Sequence, residues 1–214
     1  MVKEKLWPFY DESINSSVIE ITHADNLGAV DQHPSVEELE QSFIKKLNST
    51  GYASFYNSGT SAYCAALFAL DLEEESEVIV PSITFRGTIT PLIQFGLRPV
   101  FVNCNNDGSI STLAIADAIG NRTKAIVVNH QWGKPNDILN IRALADKYGV
   151  ALIEDCSHAH GGCINGIPLG TIGDISFLVA VQQSWFRADW AVFYIPSTER
   201  FLSAAYYSAL QSTA

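Results

Sequence analysis

Basic residues are scarce in this chain of 214: 13 lysines and arginines stand against 23 aspartates and glutamates, a formal net charge of −10. Such a surface repels phosphate backbones and anionic headgroups, which excludes a sequence-independent grip on nucleic acid or an acidic membrane. Long apolar runs are missing as well. Nowhere does the chain pass through the roughly 18 uncharged apolar residues that a spanning helix needs, and residues 1–10 have no apolar core of signal-peptide length. A soluble, cytoplasmic protein without nucleic-acid or membrane partners is therefore expected. There are only four cysteines, Cys64, Cys104, Cys156 and Cys163, irregularly spaced within apparent core segments. That spacing suits reduced thiols better than a disulfide framework. Repeats, low-complexity tracts and charge blocks are absent, so solenoids and disordered tails are not indicated.

What is present is a core: 47% of residues are hydrophobic and 17% charged, enough for one globular domain. Two periodicities alternate along it. Short β-branched runs at 53–56, 77–81, 98–103, 124–129 and 150–155 suit strands buried on both faces, with further strands at 174–181 and 191–195. Helical patterns fill the intervals at 59–70, 87–95, 111–119 and 137–148, the last closed by Gly149. Strand and helix in alternation imply right-handed crossovers and an α/β, three-layer sandwich around a mostly parallel sheet. Residues 1–50 read as an N-terminal segment with an amphipathic helix at 34–47, for which Ser35 is the expected N-cap and Glu38 completes a capping box. Residues 51–214 form the main unit.

In an open parallel sheet ligands bind beyond the carboxyl ends of the strands. Three such places carry chemistry. Asn57-Ser58-Gly59-Thr60-Ser61-Ala62 leads from a strand into a helix, where small residues let backbone N–H groups approach an anion and Ser58 and Thr60 add hydroxyls; a plain helix cap is the other reading. Glu154-Asp155-Cys156-Ser157-His158-Ala159-His160 ends a buried strand. An aspartate there can keep a pyridine nitrogen protonated, or it can cap the following turn. Pro81-Ser82-Ile83-Thr84-Phe85-Arg86 presents Phe85, which can stack on a planar ring or belong to the core. Cys156, His158, His160 and Cys163 have the residue types of a zinc site without its spacing, so no metal is predicted. Lys134 follows a strand but reads as a solvated surface charge.

Together with Arg98-Pro99-Val100-Phe101-Val102, Arg122-Thr123-Lys124-Ala125-Ile126 and Gly170-Thr171-Ile172-Gly173-Asp174, these motifs resemble the DegT/DnrJ/StrS family of sugar aminotransferases over residues 7–183. The resemblance implies the large domain of a fold-type I, aspartate aminotransferase-like transferase that depends on pyridoxal phosphate (PLP). The family's small C-terminal domain is expected to be absent. The resemblance further implies Ser58, Gly59 and Thr60 as the phosphate turn, Phe85 as the ring-stacking aromatic, Asp155 as the partner of the pyridine nitrogen, and His158 as the residue covering the ring.

The chain departs from the family after Asp174. Aligning Gln182-Gln183-Ser184 with the segment before the family's Schiff-base lysine puts Trp185 at the lysine position and Ala180 at that of a phosphate-binding serine. An indole cannot hold an aldehyde cofactor covalently or carry its proton, so any PLP would be non-covalent, and a chain without cofactor stays open. Trp185, Phe186, Trp190, Phe193 and Tyr194 then either fill the old cavity or form a patch covered by a partner. The expected role is a degenerate aminotransferase relative acting by binding in amino-sugar biosynthesis, as a homodimer or with an active family member. A lysine-free enzyme that binds a nucleotide sugar and uses Asp155, His158 and His160 as acid and base is the alternative.

Overall fold

A computed structural model describes residues 12–23, 34–179 and 191–195. Trp185, Ala180, Gln182–Ser184, Phe186 and Trp190 lie outside the described residues, so the expectations placed on them are neither met nor overturned.

The predicted alternation holds. Helix α1 (Glu12–Thr22) and helix α2 (Pro34–Lys46) precede β1 (Tyr52–Tyr56), α3 (Gly59–Leu70), β2 (Glu77–Pro81), α4 (Arg86–Gln94), β3 (Arg98–Val102), α5 (Thr112–Ala118) and β4 (Thr123–Asn129). A single 3-10 turn at Gln131–Gly133 leads to α6 (Ile138–Tyr148), β5 (Ala151–Asp155), the short strands β6 (Cys163–Ile164) and β7 (Ile167–Pro168), then β8 (Ile175–Val179) and β9 (Ala191–Ile195). Seven strands form one sheet in the order β1-β9-β8-β5-β4-β2-β3. β3, β2, β4, β5 and β8 run parallel, while β9 lies antiparallel between β8 and β1.

Strand alternation divides the core between two faces. Val78, Val80, Ala125, Val127, Ala151, Ile153 and Phe177 pack with Tyr63, Ala66 and Leu67 of α3 and Leu92 of α4. Ile79, Ile126, Val128 and Leu152 point the other way, to Ile115 of α5, Ile138 and Ile141 of α6 and Phe43 of α2. The central strands are thus covered on both sides, which is why their sequences are continuously apolar rather than alternating. Each fully buried aliphatic side chain among them contributes about 1.5–3 kcal/mol of burial energy.

Local signals set the helix ends. Ser58 and Ser111 cap α3 and α5, their side chains accepting hydrogen bonds from the amides of Ser61 and Ala114. Gly149 ends α6 at φ 67°, a left-handed conformation that costs a glycine little. One expected cap fails: α2 begins at Pro34, which puts Ser35 inside the first turn rather than at the cap. Proline is well placed there, since its fixed φ suits the first turn and its missing N–H would have had no partner. Among the described residues no helix is long and apolar enough to cross a membrane.

Candidate active site

Parallel order brings the carboxyl ends of β2, β4, β5 and β8 to one edge of the sheet, and a cavity of about 280 Å³ opens there. Its wall includes Gly59 and Thr60 at the start of α3, Phe85 and Thr88 from the β2–α4 connection, and Asn129 at the end of β4. Asp155, Ser157 and His158 follow β5, and Phe177 and Val179 come from β8. The volume is near the lower end of the roughly 300–1,000 Å³ typical of small-molecule sites.

Asp155 ends β5 directly opposite Asn129 in the β4–β5 register. Its side chain falls on the α3 face, in line with Ile153, and is only 8% exposed. Oδ1 accepts the amide of Ser157 at 3.0 Å and Oδ2 the carboxamide Nδ2 of Asn129 at 2.5 Å. Burial pushes its carboxyl above the ordinary value, with the hydrogen bonds from Ser157 and Asn129, and His158 when protonated, acting in the opposite sense. No lysine or arginine among the described residues bonds to it. A buried carboxylate lacking a cation, at the floor of an open cavity, fits a cationic N–H of a ligand.

Around it stand the other predicted residues. Phe85 is 62% exposed at the rim. A Cβ on Gly87 would stand 2.8 Å from its ring and 3.1 Å from Thr60 Oγ1, so the glycine makes room for both. Gly59 and Thr60 line the cavity, whereas Ser58 does not; its hydroxyl is committed to capping α3. A Cβ on Gly59 would meet Val179 Cγ2 at 2.2 Å, so an isopropyl group fills the space beside this turn. His158 is exposed on the cavity wall, and its Nδ1 accepts the amide of Trp132 at 3.4 Å, which leaves the ring hydrogen on Nε2. Phe177 stacks on Tyr63 with centroids 4.7 Å apart, giving the floor an apolar side.

Three sequence expectations separate in space. His160 is not with His158; it bonds the carbonyl of Val179 and lines a second cavity of about 490 Å³ with Phe43, Lys46, Phe55 and Cys163. The residue two positions on in a turn faces elsewhere, which removes it from any acid–base pair with Asp155. That second space is larger but has no buried carboxylate, and the polar groups converge on the first. Of the four zinc-type residues, Cys156, His160 and Cys163 border that second cavity, Cys156 buried and Cys163 exposed, while His158 lines the first. Lys134 is ion-paired with Asp107 and lies away from the cavity wall.

The sequence reading missed the polar layer beneath the site. Glu154, fully buried on the opposite sheet face from Asp155, accepts four hydrogen bonds: from the amides of Gly170, Ile172 and Gly173 and from His130 Nε2 at 3.1 Å. His130 Nδ1 accepts the Asn136 amide at 3.2 Å, so Nε2 carries the hydrogen given to Glu154. His130, Glu154 and Cys156 offer ligand atoms within 4.8 Å of one another. Both ring nitrogens of His130 are engaged, however, and burial together with Glu154 and Asp155 pushes the Cys156 thiol well up, away from the thiolate a metal would need.

Comparison with known proteins gives a consistent outcome. A family model described as the DegT/DnrJ/EryC1/StrS aminotransferase family matches residues 11–179. A UDP-N-acetyl-3-dehydro-alpha-D-glucosamine 3-aminotransferase of Acidithiobacillus ferrooxidans is 45% identical over 119 residues, 55% of this chain and 32% of that protein. The GDP-perosamine synthase of Vibrio cholerae is 34% identical over 142 residues, 66% of this chain and 38% of that protein. Among solved structures, an aminotransferase from Psychrobacter cryohalolentis superposes with a TM-score of 0.84 at 28% identity, over 98% of this chain and 55% of that one. PseC of Helicobacter pylori, an aminotransferase involved in the biosynthesis of pseudoaminic acid, gives 0.80 at 25% identity over 90% and 52%. The chain thus spans about a third to two-fifths of the curated relatives and about half of the solved chains.

Proposed function

This chain belongs to the DegT/DnrJ/EryC1/StrS aminotransferase family, and from that premise we propose that it holds PLP without a covalent link and serves amino-sugar biosynthesis as a binding or dimer-partner subunit. The observation that carries the proposal is a cavity whose described wall holds a buried carboxylate and no lysine. No lysine occurs in the sequence after Lys147, and among the described residues none lines the cavity.

The residues present fit the cofactor in part. Asp155 is the group to face the ring nitrogen, because a buried anion without a counter-charge gains most from an N–H cation. The amides of Gly59 and Thr60, the first of α3, are placed for phosphate by the same end-of-helix electrostatics that favour anions generally. Phe85 would stack on one face of the ring, with His158 beside it on the cavity wall. When bound, PLP supplies an aldehyde that condenses with amines and a protonated ring that withdraws electrons. The chain's own contribution is to orient that ring and keep its nitrogen protonated. An alanine at position 180 in place of a phosphate-binding serine would weaken the phosphate end by about 1 kcal/mol. The open, aromatic rim at Phe85 supports completion of the wall by a second subunit, another copy of this chain or an active family aminotransferase.

The test is to incubate the purified chain with PLP, reduce with borohydride and map adducts by mass spectrometry, while following saturable binding and co-elution with a complete family aminotransferase. Expected are reversible binding lost in Asp155→Ala, no pyridoxyl-lysine, and a complex with itself or the aminotransferase. A pyridoxyl-lysine in material that converts a nucleotide-linked keto-sugar with glutamate as amine donor would overturn the proposal.

A second reading, lysine-free acid–base chemistry on a nucleotide sugar, keeps Asp155 and His158 and loses His160. What favours it is the fixed hydrogen on His158 Nε2. Turnover of a nucleotide sugar abolished by His158→Ala would select it.

A further inference from the structure

We propose that Asn129 is the positioning residue of Asp155: its carboxamide, itself anchored by Thr84, holds the carboxylate anion and fixes how its oxygens face the cavity. The consequence for a bound ring rests on the proposed cofactor site; the premise rests on the geometry of the chain alone.

Asn129 is 5% exposed and ends β4 opposite Asp155. Its Nδ2 donates to Asp155 Oδ2 at 2.5 Å and to Thr88 Oγ1 at 3.3 Å, and its Oδ1 accepts from Thr84 Oγ1 at 3.1 Å. The amide orientation is not arbitrary. An ionised carboxylate only accepts, so the atom facing it must be the NH₂, and the oxygen then falls to the Thr84 hydroxyl, which can donate. The backbone is pinned too: the Asn129 carbonyl accepts Asn136 Nδ2 at 2.7 Å, and the His130 amide donates to the Asp155 carbonyl at 3.0 Å. With the Ser157 amide on Oδ1, both oxygens of Asp155 are held.

Among the described residues, Asn129 is therefore the side chain outside the turn after β5 that donates a hydrogen bond to Asp155. The titratable groups near Asp155 are Tyr63 from α3, His158 from that turn, and Cys156, the next residue along, which packs on the other sheet face; none of them bonds to it. Without Asn129 the carboxylate keeps only the donors of Ser157, two residues along its own chain, and is free to turn about its last torsion. A site that pairs with a ring nitrogen tolerates only about 10–20° of misorientation.

The experiment has two arms on the full chain. In the first, ¹³C-aspartate labelling follows the carboxyl titration of Asp155 without cofactor. Asn129→Leu raises its midpoint by about one pH unit, the tenfold change expected for losing one hydrogen bond to a charged acceptor. Thr84→Val, which unseats the carboxamide without touching Asp155, raises it by less. In the second arm, ring-¹⁵N pyridoxamine 5′-phosphate is the probe, and its nitrogen loses the proton about one pH unit lower in Asn129→Leu than in the parent. A purely structural role would move neither midpoint. An Asp155 midpoint unchanged in both variants overturns the proposal, and Thr84→Val decides alone if Asn129→Leu does not fold. Failure of the probe to bind the parent sinks the cofactor reading, while the carboxyl titration still judges Asn129.

Discussion

Replacing Glu154 by glutamine tests whether the buried polar layer holds the site in place. The carboxylate has two donors on each oxygen: Ile172 and Gly173 amides on Oε1 at 2.9 and 2.5 Å, the Gly170 amide and His130 Nε2 on Oε2 at 3.0 and 3.1 Å. A carboxamide has one oxygen, so whichever way it turns its NH₂ faces two donors. His130 offers no escape. Moving its hydrogen to Nδ1 would point that hydrogen at the Asn136 amide, which now donates there. At about 1.5–3 kcal/mol for each hydrogen bond to a charged group, losing two costs about 3–6 kcal/mol. That is a large part of the roughly 5–15 kcal/mol available to a folded domain. In urea, with a slope of about 1–3 kcal/mol per molar, the midpoint should fall by at least about 1 M. The measurement is equilibrium unfolding followed by far-ultraviolet circular dichroism at fixed pH. A loss under about 1 kcal/mol would refute the reasoning, since it would mean that water or a relaxed turn satisfies these donors.

Asp155→Asn should act in the opposite direction. Burial holds the Asp155 carboxyl above its ordinary value, so the folded chain binds that proton more tightly than the unfolded chain. The associated stability is present below the ordinary carboxylate value, about pH 4, and is lost as the pH rises through the folded midpoint. The substitution should raise the thermal midpoint at pH 7, with a gain that shrinks as the pH approaches about 4; a gain that grows on acidification would contradict the sign. For the thiols, Cys163 is exposed and Cys156 is buried with its thiol pushed well up. Iodoacetamide should label Cys163 in the native chain and Cys156 only after unfolding, as peptide mapping would show.

The sheet was legible because its central strands are buried on both faces and each strand is bounded by turn residues. Val78-Ile79-Val80 and Ala125-Ile126-Val127-Val128 announce themselves without any partner. Helix α1 had an unused signal, Ile14, Val18 and Ile21 at helical spacing, although Val18 and Ile21 remain exposed. The β6–β7 hairpin had a signal that went unused: Asn165-Gly166 adopts positive φ at both residues, 51° and 79°, the twist a two-residue hairpin demands. Asp155 could be singled out as an acid ending an apolar strand, and by the same logic Asn129, a polar residue ending another, could have been. What no spacing shows is that the two lie side by side, because strand neighbours 26 residues apart are set by sheet order. His160 illustrates the reverse: close to His158 in sequence, it is turned into a different cavity by the bend between them.

β9 enters the sheet between β1 and β8, and this has a bearing on how the molecule is assembled. Among the described residues, Tyr52–Tyr56 has its strand partner in Ala191–Ile195, a segment synthesised long afterwards. During translation the first strand must wait for that strand partner while the parallel block from β2 to β8 forms at the ribosome exit. Helix α3, which carries the glycine turn, can meanwhile pack on that block through Tyr63, Ala66 and Leu67. A nascent chain released before residue 195 would carry both the carboxylate and the helix that faces it, with β1 still outside the sheet.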